Sequence, residues 1–274
     1  MDFKVFKNKY IIKGNLTVLT ALHIGSGIEK DGKDAPFISL DEDNQFYIPG
    51  SSFRGYLSTK LERLVDSQNN ILLKDKNTNE FLNEADVKLI FGYTNLDKEK
   101  NENVKKRIVE KFFYKKVEKM EEKEFNKKLN EVKNMAGRIH IADMPLTVKV
   151  ESVTRDGIRI DRNTGATKKG GKFDYDVVPA GTTFKIKIEL ENIEKYQLDL
   201  IGLALHDIMS IDGDLFGGKT SRGIGRCRIE NNLKVCSIDT TNPEILKEYI
   251  FKRKYEKENK EFKFSTDNLD LEVK

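Results

Sequence analysis

The residues best suited to chemistry in this sequence lie in a glycine-rich segment, GDLFGGKTSRGIGR, at positions 213–226. Its glycines permit a close approach of the backbone to a ligand, and the cations and hydroxyl groups between them can donate hydrogen bonds to a phosphate. The spacing differs from that of a Walker loop, because no GxxxxGK[ST] pattern opens a helix here. The pattern favours phosphate contact over a tight helix-to-strand connection alone. The candidate ligand-binding residues are Lys219, Ser221 and Arg222.

A second candidate anion site is the segment IPGSSFRG at positions 48–55. Pro49 restricts the backbone ahead of a predicted helix, and Ser51 and Ser52 can cap that helix. The amides at a helix start favour an anion, and Arg54 lies within the first turn. Taken alone, the segment supports an ordinary helix cap equally well.

A third segment, at positions 154–176, concentrates cations where a core pattern of apolar residues is missing. Glycines at 165, 170 and 171 favour turns. We therefore predict a protruding hairpin that contacts a phosphate backbone, and the alternative is a solvated loop. The cations are Arg155, Arg159, Arg162, Lys168, Lys169 and Lys172.

The elements that must position these segments follow from hydrophobic periodicity. Alternating apolar residues predict strands at 10–18 and 182–190, and strand character resumes at 138–153. Apolar residues three or four apart predict helices at 51–64 and 196–211, and a last strand follows the glycine-rich segment. This order predicts an α+β fold with a ferredoxin-like or RRM-like antiparallel sheet and two helices. Such sheets often bind RNA on one face, although fold order alone does not assign a function.

Residues 66–136 differ in character from the segments on either side. Between positions 97 and 133, thirteen residues are basic and nine are acidic, with an apolar residue at every fourth position. This pattern predicts one or two solvated helices with a narrow apolar stripe. The predicted organisation is therefore an RRM-like core at 1–65 and 137–243, a charged, lid-like helical insertion at 66–136 and a charged tail at 244–274.

Charge is abundant but nearly balanced along the 274 residues: 34% are charged and the net charge is +4. This balance excludes a highly basic, histone-like protein. The excess is local, since residues 97–133 and 149–172 each carry a net charge of +4 and the remainder is net acidic. The chain thus combines two basic segments with a remainder whose net negative charge partly offsets them. This distribution suits a protein that binds RNA on one side.

Composition also limits the cellular setting. No apolar run approaches the roughly 20 residues that span a bilayer, and the first ten residues contain no apolar signal-peptide segment. Cys227 and Cys236 are too few for a disulfide framework, and the three histidines lie too far apart for a structural zinc pattern. We therefore expect a cytoplasmic protein with no membrane partner.

Seven segments, in order along the chain, together resemble the RAMP superfamily, specifically the backbone (filament) subunits of type III CRISPR effector complexes. They cover nearly the whole chain outside the insertion and the tail. The segments are LHIGSG (22–27), DAPFI (34–38), FYIPGSSFRG (46–55), RIHIADMPL (138–146), GIRIDRNTGAT (157–167), DVVPAGTTFKIKIEL (176–190) and FGGKTSRGIGRCRI (216–229).

The resemblance implies a specific activity. Such subunits stack along a guide RNA beside copies of themselves and other effector-complex subunits, and a thumb hairpin, here about residues 155–177, inserts between guide nucleotides. Active members cleave the complementary target RNA with one loop aspartate, which in this sequence is Asp34. A carboxylate in such a loop can hold a divalent cation, for which Mg²⁺ is expected, or orient the attacking ribose 2′-hydroxyl.

Alternatives remain open at this point. Asp31 and Glu29 are rival catalytic carboxylates, and a non-catalytic RNA-binding filament subunit would need none. A guide-precursor-processing endoribonuclease would use His23 as its general base, whereas we interpret His23 as structural or RNA-contacting. His140 and His206 lie within apolar patterns and are predicted to be core or near-core residues.

Overall fold

The computed structural model describes residues 5–27, 34–40, 45–65 and 71–273. The strands are β1 (Asn8–Val18), β2 (Tyr47–Ile48), β3 (Ile71–Asp75), β4 (Glu80–Phe81), β5 (Ile139–Ile141), β6 (Met144–Pro145), β7 (Val153–Ile160), β8 (Thr167–Val177), β9 (Thr183–Glu191), β10 (Asp214–Leu215), β11 (Arg226–Ile229), β12 (Lys234–Asp239), β13 (Lys257–Glu261) and β14 (Leu269–Val273). The helices are α1 (Gly50–Val65), α2 (Glu84–Phe91), α3 (Glu102–Phe113), α4 (Glu122–Glu131), α5 (Lys195–Met209) and α6 (Pro243–Lys252). Within these ranges, every helix is too short or too polar to span a bilayer.

The main sheet is antiparallel and is built around β1. β9 pairs with one edge of β1 along residues 9–17, and β11 and β12 follow one another along the opposite edge. β5 extends the sheet beyond β9, whereas β10 and β13 extend it beyond β11 and β12. Leu16 lies opposite both Phe184 and Ile229, and all three are buried. The predicted α+β class with an antiparallel sheet is confirmed.

Helices α1 and α5 pack against each other and against this sheet, as their apolar periodicity predicts. Phe53 and Leu57 of α1 join Ile201 of α5 in one core with the sheet. Leu64 continues the apolar spacing that predicts α1 and would by that spacing lie on the buried face, but it is 43% exposed, because Val65 takes the buried position at the end of α1.

Residues 71–136 hold more structure than the one or two solvated helices that the sequence predicted. They contain β3, β4 and three helices, of which α2 lies inside the molecule. Its residues Val87 and Phe91 join the main core, and Ala85 and Leu89 join a second cluster with α3 and α4. Because α2 contributes to both clusters, it fixes this segment to the body of the protein.

The C-terminal residues pair with both parts of the molecule. β13 joins the edge of the main sheet beside β12, and β14 pairs with β3. Asp199 of α5 accepts hydrogen bonds from Ser265 Oγ at 3.1 Å and from the Asn268 backbone N at 2.9 Å. A Cβ at Gly202 would lie 2.6 Å from Phe264, so the glycine allows this close packing. The charged tail therefore fastens residues 71–136 to the core.

β7 and β8 form a separate two-stranded hairpin at the position of the predicted protrusion. Its turn is closed by Asp161, whose carboxylate accepts a hydrogen bond from the Asn163 backbone N at 2.8 Å and whose backbone N donates to the Ala166 carbonyl at 2.8 Å. Phe173 crosses over Gly157, where a Cβ would lie 2.3 Å from the ring. Glycine at 157 therefore makes room for the aromatic ring.

Candidate nucleic-acid interface

The β7–β8 hairpin presents two chemically different faces. Residues opposite each other on paired strands share a face, and neighbours along a strand alternate. One face, which we call the aromatic face, consists of Arg155, Gly157, Phe173 and Tyr175. The other, the carboxylate face, consists of Thr154, Asp156, Ile158, Lys172, Asp174 and Asp176.

The outer part of the hairpin is cationic and solvent-exposed. Ile158 and Ile160 are 57% and 60% exposed, so apolar side chains also point into solvent there. Exposed cations can contact phosphates without a large desolvation cost, and an exposed apolar side chain can enter between bases. The exposed cations are Arg155, Arg159, Arg162, Lys168, Lys169 and Lys172.

The glycine-rich segment docks onto the aromatic face of the hairpin. Lys219 Nζ lies 4.5 Å from the ring centroid of Tyr175 and 5.2 Å from that of Phe173. Arg222 Cζ lies 5.2 Å from the centroid of Phe173, while Ser221 is exposed beside it. Burial, and then the charge of Arg222, lower the pKa of Lys219. Cation–π contacts thus connect two segments that the sequence identified separately.

His23 lies beneath this contact and is only 5% exposed. Its Nδ1 lies 2.7 Å from the Asp176 carbonyl oxygen, and its ring meets Tyr175 edge-on with centroids 5.5 Å apart. A carbonyl only accepts hydrogen bonds, so Nδ1 carries the hydrogen and Nε2 carries the lone pair of the neutral ring. Burial lowers the pKa of His23, the carbonyl partly offsets this, and the Lys219 charge lowers it further.

The backbone of His23 also receives the glycine-rich segment. Its carbonyl accepts a hydrogen bond from the Gly218 backbone N at 2.8 Å. A Cβ at Gly217, whose φ is +87°, would lie 2.7 Å from the same oxygen. Glycine is therefore required at 217 both for its backbone angle and for its close approach.

Asp34 is exposed and lies against the carboxylate face. Its Oδ2 accepts a hydrogen bond from the Asp174 backbone N at 3.0 Å, and its own backbone N donates to Asp174 Oδ1 at 2.9 Å. Next to it, the Ala35 carbonyl accepts from the Asp176 backbone N at 3.0 Å. The Asp34 loop is thus hydrogen-bonded to the base of the hairpin, by which we mean the end of β8 that holds Asp174 and Asp176. The rival carboxylates Asp31 and Glu29 lie outside the described residues.

The start of α1 departs from the predicted cap. The helix begins at Gly50, whose backbone N donates to Asp143 Oδ1 at 2.8 Å, so Ser51 and Ser52 lie inside the first turn and do not cap it. Arg54 donates through Nη2 to the Phe91 carbonyl, and its Cζ lies 5.5 Å from the centroid of the Phe91 ring. Arg54 thereby holds α2 against α1, and its predicted RNA contact stays a prediction.

A groove of about 430 Å³ connects the predicted segments beside the hairpin base. Ser52 and Tyr56 of α1 line one wall, and Gly25 and Thr220 line others. The Tyr56 hydroxyl donates to Asp214 Oδ2 at 2.5 Å, and burial followed by that bond raises the pKa of Tyr56. The groove presents hydroxyl groups and glycine backbone, which are groups that can bind a phosphate or ribose.

Two histidine predictions are wrong. His140 and His206 are both exposed rather than in or near the core. His140 occupies the outward position of β5 between Ile139 and Ile141, and His206 lies on the solvent face of α5. Cys227 is buried, and burial raises the pKa of its thiol to about 12, which suits a core residue and not a reactive one.

The sequence reasoning missed the aromatic and acidic residues that make the two faces. The signal was present in KFDYDV, positions 172–177, where aromatic and acidic residues alternate at the period of a strand. Of the predicted site residues, the structure brings His23, Asp34, Lys219 and Arg222 to the hairpin base. No group of three metal-ligating side chains occurs in the part of the chain that the structure describes.

Comparison with known proteins assigns the family. The sequence profile of the RAMP superfamily matches residues 15–228, which include the end of β1 and all of α1, the hairpin, β9, α5 and the glycine-rich segment. The chain therefore belongs to the RAMP superfamily, and the resemblance predicted from the sequence is confirmed.

Two relatives bear the name CRISPR system Cms endoribonuclease Csm3. The protein from Methanocaldococcus jannaschii is 27% identical over 246 residues, which are 86% of this chain and 84% of the relative. The protein from Methanothermobacter thermautotrophicus is 40% identical over 68 residues, which are 24% of this chain and 28% of the relative. The first similarity extends over nearly the whole chain.

Proposed function

We propose that the protein is a guide-RNA-binding backbone subunit of a type III CRISPR interference complex, and that it cleaves complementary target RNA with Asp34. One observation carries the proposal: the base of an exposed basic hairpin holds both the glycine-rich segment and the Asp34 loop. The name of the relatives, which designates a CRISPR endoribonuclease, supports the same activity. Its partners would be guide RNA, target RNA, copies of itself and other effector subunits in the cytoplasm.

Guide binding would use the hairpin and the groove beside it. The six hairpin cations are exposed, so phosphates can reach them, and Ile158 and Ile160 can enter between bases. The groove with Ser52 and Thr220 adds hydroxyl donors on the same side as Lys219. We further infer that the order β11, β1, β9, β5 corresponds to the predicted ferredoxin-like sheet.

Asp34 has the exposure and the chemistry that the cleavage step needs. A single carboxylate suits Mg²⁺ when the phosphates of the RNA and water supply the other oxygen ligands. When bound, the ion would stabilise negative charge on the phosphate. Asp34 would orient the 2′-hydroxyl, whose oxygen forms a bond to the adjacent phosphorus while the bond to the 5′-oxygen breaks. The hydroxyl proton ends on the 5′-oxygen, leaving a cyclic phosphate and a 5′-hydroxyl.

The environment of His23 argues against the processing alternative. A general base must reach its substrate with a lone pair. His23 donates through Nδ1 to the Asp176 carbonyl, and because the residue is only 5% exposed, the lone pair on Nε2 has little access to a substrate. The proposal therefore gives His23 the task of supporting the glycine-rich segment through its carbonyl. His23→Gln, which removes the imidazole that meets the Tyr175 ring and the Asp176 carbonyl, would reduce stability and leave the pH dependence of cleavage unchanged.

The test uses the assembled complex loaded with guide RNA. We expect Asp34→Ala to lower the single-turnover rate of target cleavage at least about 100-fold, since the carboxylate acts on the reacting atoms. Guide and target affinities would stay within about twofold of wild type, because Asp34 carries no positive charge with which to bind a phosphate. Asp156→Ala, which removes an exposed carboxylate from the same face, serves as the matched control. Cleavage by Asp34→Ala at the wild-type rate would refute the assignment to Asp34 and place the cleaving group on Asp31, on Glu29 or on another subunit.

A further inference from the structure

We propose that Asp174, on the carboxylate face of the hairpin, is the positioning residue that holds Asp34 for cleavage. The two aspartates are 140 positions apart in the chain but exchange two hydrogen bonds. Asp174 Oδ1 accepts from the Asp34 backbone N, and the Asp174 backbone N donates to Asp34 Oδ2. This inference rests on the proposed function, because the reaction it concerns is the one assigned to Asp34.

The two bonds constrain different parts of Asp34. The bond to the Asp174 carboxylate fixes the backbone of Asp34, and the bond from the Asp174 backbone N fixes one oxygen of the Asp34 side chain. Asp34 Oδ1 takes no part in that contact, and it accepts no hydrogen bond from the residues that the structure covers. One carboxylate oxygen is thus oriented by the hairpin and the other is available for RNA or for a hydrated cation.

The position of Asp174 on the hairpin connects Asp34 to the glycine-rich segment. Asp174 lies next to Phe173 and Tyr175, which point to the opposite face and carry Lys219 and Arg222. The glycine-rich segment therefore holds the hairpin on its aromatic face, and the hairpin in turn positions Asp34 on its carboxylate face. Guide RNA that contacts the hairpin would in this way fix the distance between the guide and the cleaving carboxylate.

Other carboxylates of the same face do not have this contact. Asp156 lies opposite Asp174 but pairs with Lys172 at 3.3 Å, and both side chains are well exposed. Asp176 Oδ1 accepts from Thr154 Oγ1 at 2.8 Å, and its backbone N reaches Ala35 instead of Asp34. Asp156 therefore provides a matched control of equal charge on the same face.

The experiment compares three variants in the guide-loaded complex. Asp174→Ala removes the acceptor for the Asp34 backbone N, so we expect target cleavage about tenfold slower, with guide and target affinities within about twofold of wild type. Asp174→Asn keeps an oxygen that can accept the same bond, so cleavage would recover to within about twofold of wild type. Asp156→Ala would cleave at the wild-type rate.

Hydrogen exchange of the Asp34 backbone amide, which donates to Asp174 Oδ1, provides a readout independent of activity. We expect faster exchange in Asp174→Ala and wild-type exchange in Asp174→Asn and Asp156→Ala. Equal exchange and equal cleavage in Asp174→Ala and Asp156→Ala would overturn the positioning role. So would equally slow cleavage in Asp174→Ala and Asp174→Asn, because charge loss and not the hydrogen bond would then be the cause.

The Asp34→Ala variant separates the two proposals. If Asp34→Ala is inactive and Asp174→Ala cleaves like wild type, the positioning role fails and the proposed function stands. If Asp34→Ala cleaves like wild type, the proposed function fails, and with it the role of Asp174 in cleavage, whatever exchange at Asp34 shows.

Discussion

Two segments of the chain carry the same net charge of +4, residues 97–133 and residues 149–172, but they use it in opposite ways. In the first, Arg107 donates two hydrogen bonds to the fully buried Asp86, at 2.9 and 3.1 Å. In the second, Lys172 is the one hairpin cation that forms an ion pair within the described ranges, and that pair is exposed. The charges of the insertion hold its own helices together, whereas those of the hairpin face solvent.

This difference shows why net charge does not by itself identify an RNA-binding segment. A cation that is committed to a buried carboxylate stabilises the fold and is not available to a ligand. An exposed cation without an internal partner contributes little to stability but can release counterions when it meets a phosphate. The comparison predicts that cation removal damages stability in the insertion and RNA affinity in the hairpin.

The largest effect is expected at the buried pair. Arg107→Ala leaves the Asp86 carboxylate buried, with the Tyr196 hydroxyl at 3.0 Å and a backbone N as remaining donors. The free energy of unfolding would fall by about 3–5 kcal/mol in chemical denaturation. Lys115→Ala, which breaks the exposed pair with Glu124, would lower the free energy of unfolding far less, because exposed ion pairs contribute little. Equal losses in both variants would remove the distinction between buried and exposed pairs.

The next effect concerns guide affinity. The double variant Arg155→Ala and Arg159→Ala would weaken guide binding about 10- to 30-fold at physiological salt. The slope of log affinity against log salt would decrease by about 0.7 for each phosphate that the variant no longer neutralises. The free energy of unfolding would change by less than about 0.5 kcal/mol, because both side chains are exposed. A loss of stability with unchanged guide affinity would show that the hairpin cations stabilise the fold instead of binding RNA.

A pH-dependent effect of intermediate size is expected at Glu80. Burial alone would raise the pKa of Glu80, but hydrogen bonds from Lys116 and Lys111 outweigh it and hold the pKa at about 2. Since the folded pKa lies below the ordinary value of 4.5, the stabilisation is present above pH 4.5 and is lost as the pH falls toward 2. After solvent screening we expect a loss of about 1–2 kcal/mol across that window. Glu80→Gln would remove this part of the dependence of the unfolding free energy on pH. The same pH dependence in Glu80→Gln and in the wild type would contradict the prediction.

The smallest effect is expected at the one ion pair of the hairpin. Lys172 Nζ lies 3.3 Å from Asp156, with side-chain exposures of 70% and 60%. A double-mutant cycle between Lys172→Ala and Asp156→Ala would give a coupling free energy of at most about 0.5 kcal/mol. A coupling of several kcal/mol would mean that the hairpin is stabilised by its charges as the insertion is.

Much of the fold followed from local patterns. The alternation in β1 and β9 and the apolar stripes of α1 and α5 predicted these elements near their observed bounds. Their strong periodicity reflects one buried face each, which sequence records directly. The insertion was predicted less well, because α2 is buried on two sides and its apolar residues did not form a single stripe.

The candidate site was predicted in pieces. The glycine-rich segment and the basic hairpin were each identified from residue types, and the resemblance to the RAMP superfamily placed the cleaving role on Asp34. His140 and His206 were misplaced because one exposed position in an apolar strand or helix cannot be told from a buried one without the neighbouring elements. The cap predicted for Ser51 and Ser52 failed for the same reason: Asp143, a distant residue, binds the start of α1.

The sequence by itself determined the class of fold, the membership of the superfamily and the segments that carry cations, since periodicity, motif order and composition are properties of the linear chain. Only the tertiary structure decided which of these segments meet. Lys219 lies on Tyr175, His23 is covered by Gly218, and Asp34 exchanges hydrogen bonds with Asp174. Such contacts depend on strand register and on packing between residues far apart in the chain, and local sequence patterns do not specify either.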